Sequence, residues 1–156
     1  MKTSSVILIL CGICLFCTEV DGADWVRYFV DKQGNEWLYD RESISFQSQD
    51  IVGIWGKGIY SKEGIKQEIA QRTKAKLPIE SLNELSYTLE RFEINCRKSE
   101  FDVYERSFYD KAGKTLHSYA ASKKRSHWYS INPESKMDSL YKLVCKSQPK
   151  ETEKKK

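Results

Sequence analysis

Few side chains in this sequence combine the types and spacing that bond-making chemistry requires. Its five cysteines stand at 11, 14, 17, 96 and 145. The first three fall in or just after an N-terminal apolar run, which leaves Cys96 and Cys145 as the thiols to weigh. A metal site built on them would need further ligands, and only His117 and His127 are on offer. Ser126 and His127 are neighbours, and neighbours in an extended segment point apart. The sequence contains no Gly-x-Ser-x-Gly elbow, His-Glu-x-x-His or Walker pattern. Gly53, Gly56 and Gly58 surround Lys57, but their order is not a dinucleotide fingerprint and no Ser or Thr follows the lysine. Glycines in a strand mark a bulge or a close backbone approach instead. Glu93 and Glu105 are a carboxylate pair that adjacent strands would bring together, where unpaired like charges destabilise. Neither an enzyme nor a cofactor is expected.

The two remaining thiols find their chemistry through compartment. Lys2 begins a short positive start, Val6–Phe16 is a continuous apolar run of eleven residues, and Thr18–Gly22 is polar with small residues at Gly22 and Ala23. That is the layout of a secretory signal peptide over residues 1–22, too short to span a bilayer. A buried N-terminal helix is the competing reading. Leu10, Ile13 and Phe16 precede the three early cysteines, where lipid attachment needs a small residue. Cleavage leaves Cys96 and Cys145 in an oxidising compartment, where they are expected to pair. The mature chain would then lie in the periplasm, at the cell surface or outside the cell.

The elements that position these residues follow from patterning. In the stretch Ser86–Cys96, Phe92, Ile94 and Cys96 alternate with Arg91, Glu93 and Asn95, which predicts a half-buried central strand. Before it, Asp24–Asp31 and Glu36–Tyr39 predict a hairpin about Gln33-Gly34-Asn35, and Ile51–Tyr60 a third strand. Ser61 is placed to cap a helix over Lys62–Lys74, with Ile65, Ile69 and Ala70 on its apolar stripe; Gly64 weakens that helix. Pro78 ends it, and Ile79–Leu85 adds one more helical turn. Phe101–Asp110 carries large residues on both faces, Phe101, Val103 and Tyr109 against Tyr104 and Phe108. Coverage on two sides is the reading taken; an open aromatic patch is the other. Gly113 is expected at positive φ in a hairpin turn before Thr115–Ala121. Pro133 is expected at the first position of a last helix, Glu134–Cys145, whose stripe is Met137, Leu140, Tyr141 and Val144. Six strands in hairpin order, a crossover segment and a terminal helix predict an antiparallel α+β domain over 23–145, closed by one disulfide.

Charge narrows the partners. From residue 23 onward there are 25 Lys+Arg against 20 Asp+Glu, a net of +5, of which the lysine-rich tail 146–156 supplies +3 and the folded part +2. A surface so mixed is not a nucleic-acid footprint, and the tail, without a large apolar residue, is expected to be disordered. Lys123, Lys124 and Arg125 form a basic loop that could hold a polyanion.

Several landmarks together resemble the surface-adhesin protein E family. They are Trp37-Leu38-Tyr39-Asp40 followed by Ser43-Ile44, the Trp55 strand, Phe92-Glu-Ile-Asn-Cys96, Tyr109-Asp-Lys-Ala-Gly113, Trp128 with Ile131-Asn-Pro-Glu-Ser135, and Leu143-Val-Cys145. The resemblance spans about Asp24 to Cys145. It implies a small exported antiparallel sheet domain without catalytic residues, acting as an adhesin towards extracellular-matrix and other proteins. Its binding segment would correspond here to Tyr87, Arg91, Arg97 and Lys98. The ordinary alternative for the three cations is a solvated strand edge and turn. The family pattern has Pro-Gly-Ser before the last helix; Pro133-Glu134-Ser135 here implies a different turn. A second functional class is a periplasmic module for a small ligand or another envelope protein, with Trp25, Trp37, Trp55 and Trp128 lining a groove rather than forming core. An exposed sheet edge would also let two copies pair.

Overall fold

The computed structural model describes residues 22–120 and 127–146. The expected signal peptide over residues 1–22, apart from Gly22, the expected Lys123-Lys124-Arg125 loop and the tail beyond Lys146 lie outside them. One eight-stranded antiparallel sheet runs in the order β1 (Trp25–Val30), β2 (Glu36–Asp40), β4 (Ile51–Ile59), β5 (Leu85–Asn95), β6 (Glu100–Asp110), β7 (Thr115–Ala120). Two short strands complete it: β3 (Ser45–Phe46) on β4 and β8 (Tyr129–Ser130) on β6. The helices are α1 (Lys62–Lys74) and α2 (Lys136–Lys146), and 3-10 turns occupy Arg41–Ser43 and Leu82–Glu84. The expected antiparallel α+β fold, with its crossover helix, C-terminal helix and disulfide, is what the chain forms.

Both helices lie on one face of the sheet, and side-chain alternation decides which residues meet them. Val52 and Ile54 of β4 stand opposite Ile94 and Phe92 of β5. With Met137, Leu140 and Val144 of α2 these make the larger apolar cluster. The three α2 residues are spaced as one helical stripe. A second cluster joins Leu82, Leu85 and Phe108 to Ile65 and Ile69 of α1. Two of the three β4 glycines make room for rings on this face: a Cβ at Gly56 would come within 2.5 Å of Phe92, and one at Gly58 within 2.6 Å of Trp37. They mark close approach, not a phosphate loop.

Cys96 and Cys145 are bonded, with Cα atoms 5.5 Å apart, and so pin the end of α2 to the end of β5. Tyr141 strengthens the same junction: its hydroxyl donates to the Cys96 carbonyl oxygen at 3.0 Å and lies 3.2 Å from Ser99 Oγ.

Three local expectations need correction. The last helix starts at Lys136, not Glu134, so Pro133 stands ahead of it. Ser135 takes the capping role, its Oγ accepting from the Asp138 N–H at 3.1 Å. Glu134 has φ of +63°, the left-handed region that glycine favours, so the turn keeps a glycine-like shape despite the glutamate. The alternation expected along β6 is broken by an irregularity between Arg91/Glu105 and Phe92/Val103. An extra residue reverses the side-chain phase. Phe101 and Val103 therefore share the helix side with Phe108, the first two against the larger cluster and Phe108 in the second, while Tyr104 and Tyr109 turn to the other face.

Gly64 is the third correction. It does not merely weaken α1: a Cβ there would stand 1.8 Å from Asn35 Oδ1. That buried amide fastens the β1–β2 turn to the helix, accepting from the Ser61 N–H at 2.9 Å and donating to Asp31 Oδ2 at 2.9 Å. Ser61 Oγ in turn accepts from the Gly64 N–H at 2.9 Å. Gly64→Ala should gain helix propensity of about 1 kcal/mol and still lower stability by about 1–3 kcal/mol, because Asn35 is displaced from buried partners. A urea midpoint above that of the parent protein would contradict this account.

Candidate functional site

The face opposite the helices carries no helix among the described residues. Tyr87, Leu89 and Arg91 of β5, Trp55 and Lys57 of β4, Tyr104 and Tyr109 of β6 and Trp25 of β1 are all partly exposed there. Their arrangement interleaves cations with rings. The Lys57 ammonium lies 4.8 Å from the centre of the Tyr87 ring and 5.6 Å from that of Trp25. Tyr87 stacks on Tyr109 with centroids 4.9 Å apart. The Arg91 guanidinium sits 5.7 Å from Trp55 and 5.3 Å from Tyr104. Each ring holds a cation by its quadrupole and limits the rotamers of the long side chain. Two-sided coverage of the β6 aromatics was expected; the uncovered patch is what forms. It offers rigid aromatic area and two oriented positive charges, and no nucleophile with a base.

The sequence-derived candidates divide accordingly. Tyr87 and Arg91, four residues apart on one strand, share this face. Arg97 and Lys98 sit in the turn after β5, where both backbone N–H groups donate to Asn95 Oδ1 at 3.2 and 3.0 Å. Arg97 also pairs with Asp50 at 3.0 Å. They are exposed at the end of the sheet and outside the aromatic array. Glu105 stands opposite Arg91, and Glu93 opposite Asp102, so the Glu93–Glu105 pair is not in register. His117 Nε2 lies 2.7 Å from the Glu80 carbonyl oxygen, and His127 packs edge-on to Tyr129. The four tryptophans do not act together: Trp37 is buried, while Trp25 and Trp55 belong to the open face.

A second feature lies on the helix side, between α1 and α2. A cavity of about 370 Å³ opens there between the two apolar clusters. Glu90 and Arg106 form its floor, Trp37, Tyr60 and the β1–β2 turn its sides, Gln67, Glu68 and Gln71 its α1 wall, and Lys136 its α2 wall. Arg106 Nε approaches Glu90 Oε1 at 2.8 Å, with the carboxylate side chain only 2% exposed. That contact is a charge pair more than an aligned hydrogen bond. The nearby Glu90 charge raises the Arg106 pKa further against the effect of burial. Burial lowers the Lys136 ammonium, with Glu90 opposing it. Burial likewise pushes the Tyr60 hydroxyl well up. Burial alone would raise Asp31 too, but N–H groups of Asn35, Trp37 and Gln33 outweigh it and hold the carboxyl below its ordinary range. Of these residues the sequence had offered only Trp37 as a groove-lining ring; the charged groups Glu90, Arg106 and Lys136 were not singled out. Glu90 had one visible signal: it lies in phase with the buried Phe92 and Ile94.

No group of His, Cys, Asp and Glu among the described residues is arranged to hold a metal ion, and no described helix is long and apolar enough to cross a membrane.

Fold and site together define a disulfide-closed sheet domain with one face packed by helices and the other left as an aromatic, cationic surface. Residues 25–146 match the family model described as surface-adhesin protein E, and the chain belongs to that family. Two solved structures of Haemophilus influenzae protein E are similar to it. The selenomethionine form matches with a TM-score of 0.50 at 18% identity, covering 79% of this chain and 86% of that one. Crystal form II matches with a TM-score of 0.50 at 17% identity, covering 78% and 87%. At such identity the likeness is one of fold. No curated protein matches by sequence.

Proposed function

We propose that this chain is an exported, non-enzymatic adhesin that binds an extracellular protein through the uncovered face of its sheet. Family membership supports the adhesin class, and the Cys96–Cys145 bridge supports export to an oxidising compartment. The observation that carries the site is the interleaving of Lys57 and Arg91 with Trp25, Tyr87, Trp55 and Tyr104 on a face without helix cover. Tyr, Trp and Arg are the residue types that dominate binding hot spots, and cations already oriented by rings lose little freedom on association. A partner presenting carboxylates beside apolar surface meets this array best. Arg97 and Lys98, at the end of the sheet, would supply only a rim.

Immobilised laminin and vitronectin at low and physiological salt provide the test. Saturable binding that persists in salt should weaken about tenfold or more in a Lys57→Ala/Arg91→Ala variant, and far less in Arg97→Ala/Lys98→Ala. Binding reduced only by the second pair would move the site to the turn. Binding to heparin alone, vanishing with salt, would reduce the activity to general cationic attraction.

A further inference from the structure

The chain that leaves α1 keeps apolar side chains exposed in a stiff, cationic setting. The Leu77 N–H donates to the Arg72 carbonyl oxygen at 2.9 Å, and the Lys76 N–H to that of Thr73 at 3.1 Å. Those two bonds make a Schellman cap, which favours glycine at its left-handed position and folds the next apolar residue back onto the last helical turn. Here the left-handed residue is Lys76, at φ of +55°. The residues of that turn that would receive Leu77 are Gln71 and Arg72, and Leu77 stays 52% exposed. Ile79, beyond Pro78, is 40% exposed. The segment is fastened on both sides: Arg72 Nε donates to the Pro78 carbonyl oxygen at 2.7 Å, and His117 Nε2 lies 2.7 Å from the Glu80 carbonyl oxygen. Ser81 then turns left-handed at φ of +60°. Non-glycine residues persist in that region only where the surroundings hold them there. Lys74 and Lys76 precede the apolar pair, exposed and without an ion-pair partner among the described residues. From residue 72 to 79 there are three cations and no carboxylate; Glu80 and Glu84 follow.

We propose that this knuckle, residues 74–79, is a contact site for an anionic lipid surface. Leu77 and Ile79 enter the boundary between headgroups and acyl chains, and Lys74 and Lys76 lie against the phosphates. Charge complementarity selects the occupant: apolar side chains beside lysines that lack acid partners match the layering of such a surface. The knuckle follows α1 and reaches β7 at His117, so it lies on the helix side of the sheet. Contact there leaves the opposite face turned away from the lipid, and the adhesin reading and this one stand or fall separately.

The test is co-sedimentation of the protein recovered after export, disulfide intact, with two kinds of vesicle at low and physiological salt. One is phosphatidylcholine alone, the other equal parts phosphatidylglycerol and phosphatidylcholine. Binding is expected to the mixed vesicles, persisting in part at physiological salt, and to be weak on phosphatidylcholine. Leu77→Ser/Ile79→Ser keeps every charge, the lysine-rich tail included, and should weaken binding about tenfold or more. Lys74→Gln/Lys76→Gln should weaken it by about tenfold and lower its salt dependence. All four side chains are exposed, so both variants should melt with the parent protein. No binding to the mixed vesicles, equal binding by Leu77→Ser/Ile79→Ser, no preference for phosphatidylglycerol, or complete loss at physiological salt would each overturn the site. So would a lipid-free dimer in sedimentation equilibrium that Leu77→Ser/Ile79→Ser abolishes, since the apolar pair would then face a second copy.

Discussion

Arg106→Leu should destabilise the domain by about 3 kcal/mol, the lower part of the range for breaking a buried ion pair. The lower part applies because the Arg106 side chain keeps 34% of its surface exposed while Glu90 keeps 2%. The loss comes less from the missing attraction than from the Glu90 carboxylate left enclosed on the sheet. Two consequences distinguish this from ordinary loss of packing. First, Glu90→Leu/Arg106→Leu should recover most of the stability, since it removes the stranded charge together with its partner. Second, the Arg106→Leu deficit should shrink as pH falls. Burial without a partner disfavours the charged form of a carboxylate, so in this variant proton uptake favours the folded form. Urea unfolding of the three proteins at neutral and mildly acidic pH reads both effects. A double variant as unstable as the single, with no pH dependence, would show that Arg106 acts through packing alone.

Opening the Cys96–Cys145 bridge is expected to be larger still. The bonded cysteines are 49 residues apart, and a loop of that size is worth about 4 kcal/mol on the chain-entropy model. For a domain of this length that corresponds to a fall of roughly 15 °C in Tm. The damage should be uneven. Met137, Leu140 and Val144 still give α2 an apolar stripe, but the helix is joined to the rest through a segment beginning at β8 and through the Tyr141 hydroxyl. Hydrogen exchange of α2 amides should therefore accelerate more than that of β4 and β5 in Cys96→Ser/Cys145→Ser. An unchanged Tm with both thiols shown to be free would refute the structural weight given to the bridge.

Local patterning made much of the fold legible. Phe92, Ile94 and Cys96 placed the central strand because alternation in an extended chain has only one solution. Ser61 and the run after it placed α1, and the stripe Met137–Leu140–Val144 placed α2. What stayed hidden depended on contacts between distant segments. The phase change in β6 arises from an extra residue against β5, and nothing within Phe101–Asp110 announces it. Asn35 fills the space above Gly64 from a turn 29 positions away, so the glycine looked like a helix defect. The start of α2 was misplaced because Pro133 is a good first helical residue by itself, whereas Glu134 turns left-handed and Ser135 caps. Arg91 and Tyr87 were found through the resemblance. Their partners Trp55, Lys57 and Tyr104 could be seen only once the strand register was known.

The one-sided placement of the helices has a consequence for how such a domain can diverge. Residues that hold the layers together, Val52, Ile54, Phe92, Ile94 and the α2 stripe, point one way from the strands, and Trp55, Lys57, Tyr87 and Arg91 point the other. Because alternate positions serve separate ends, substitutions at Trp55, Lys57, Tyr87 and Arg91 fall on a surface where most changes are nearly neutral for stability. A lineage built on this sheet is free to exchange one set of rings and cations for another while the scaffold stays the same. Partner choice can drift quickly on a fold that hardly moves.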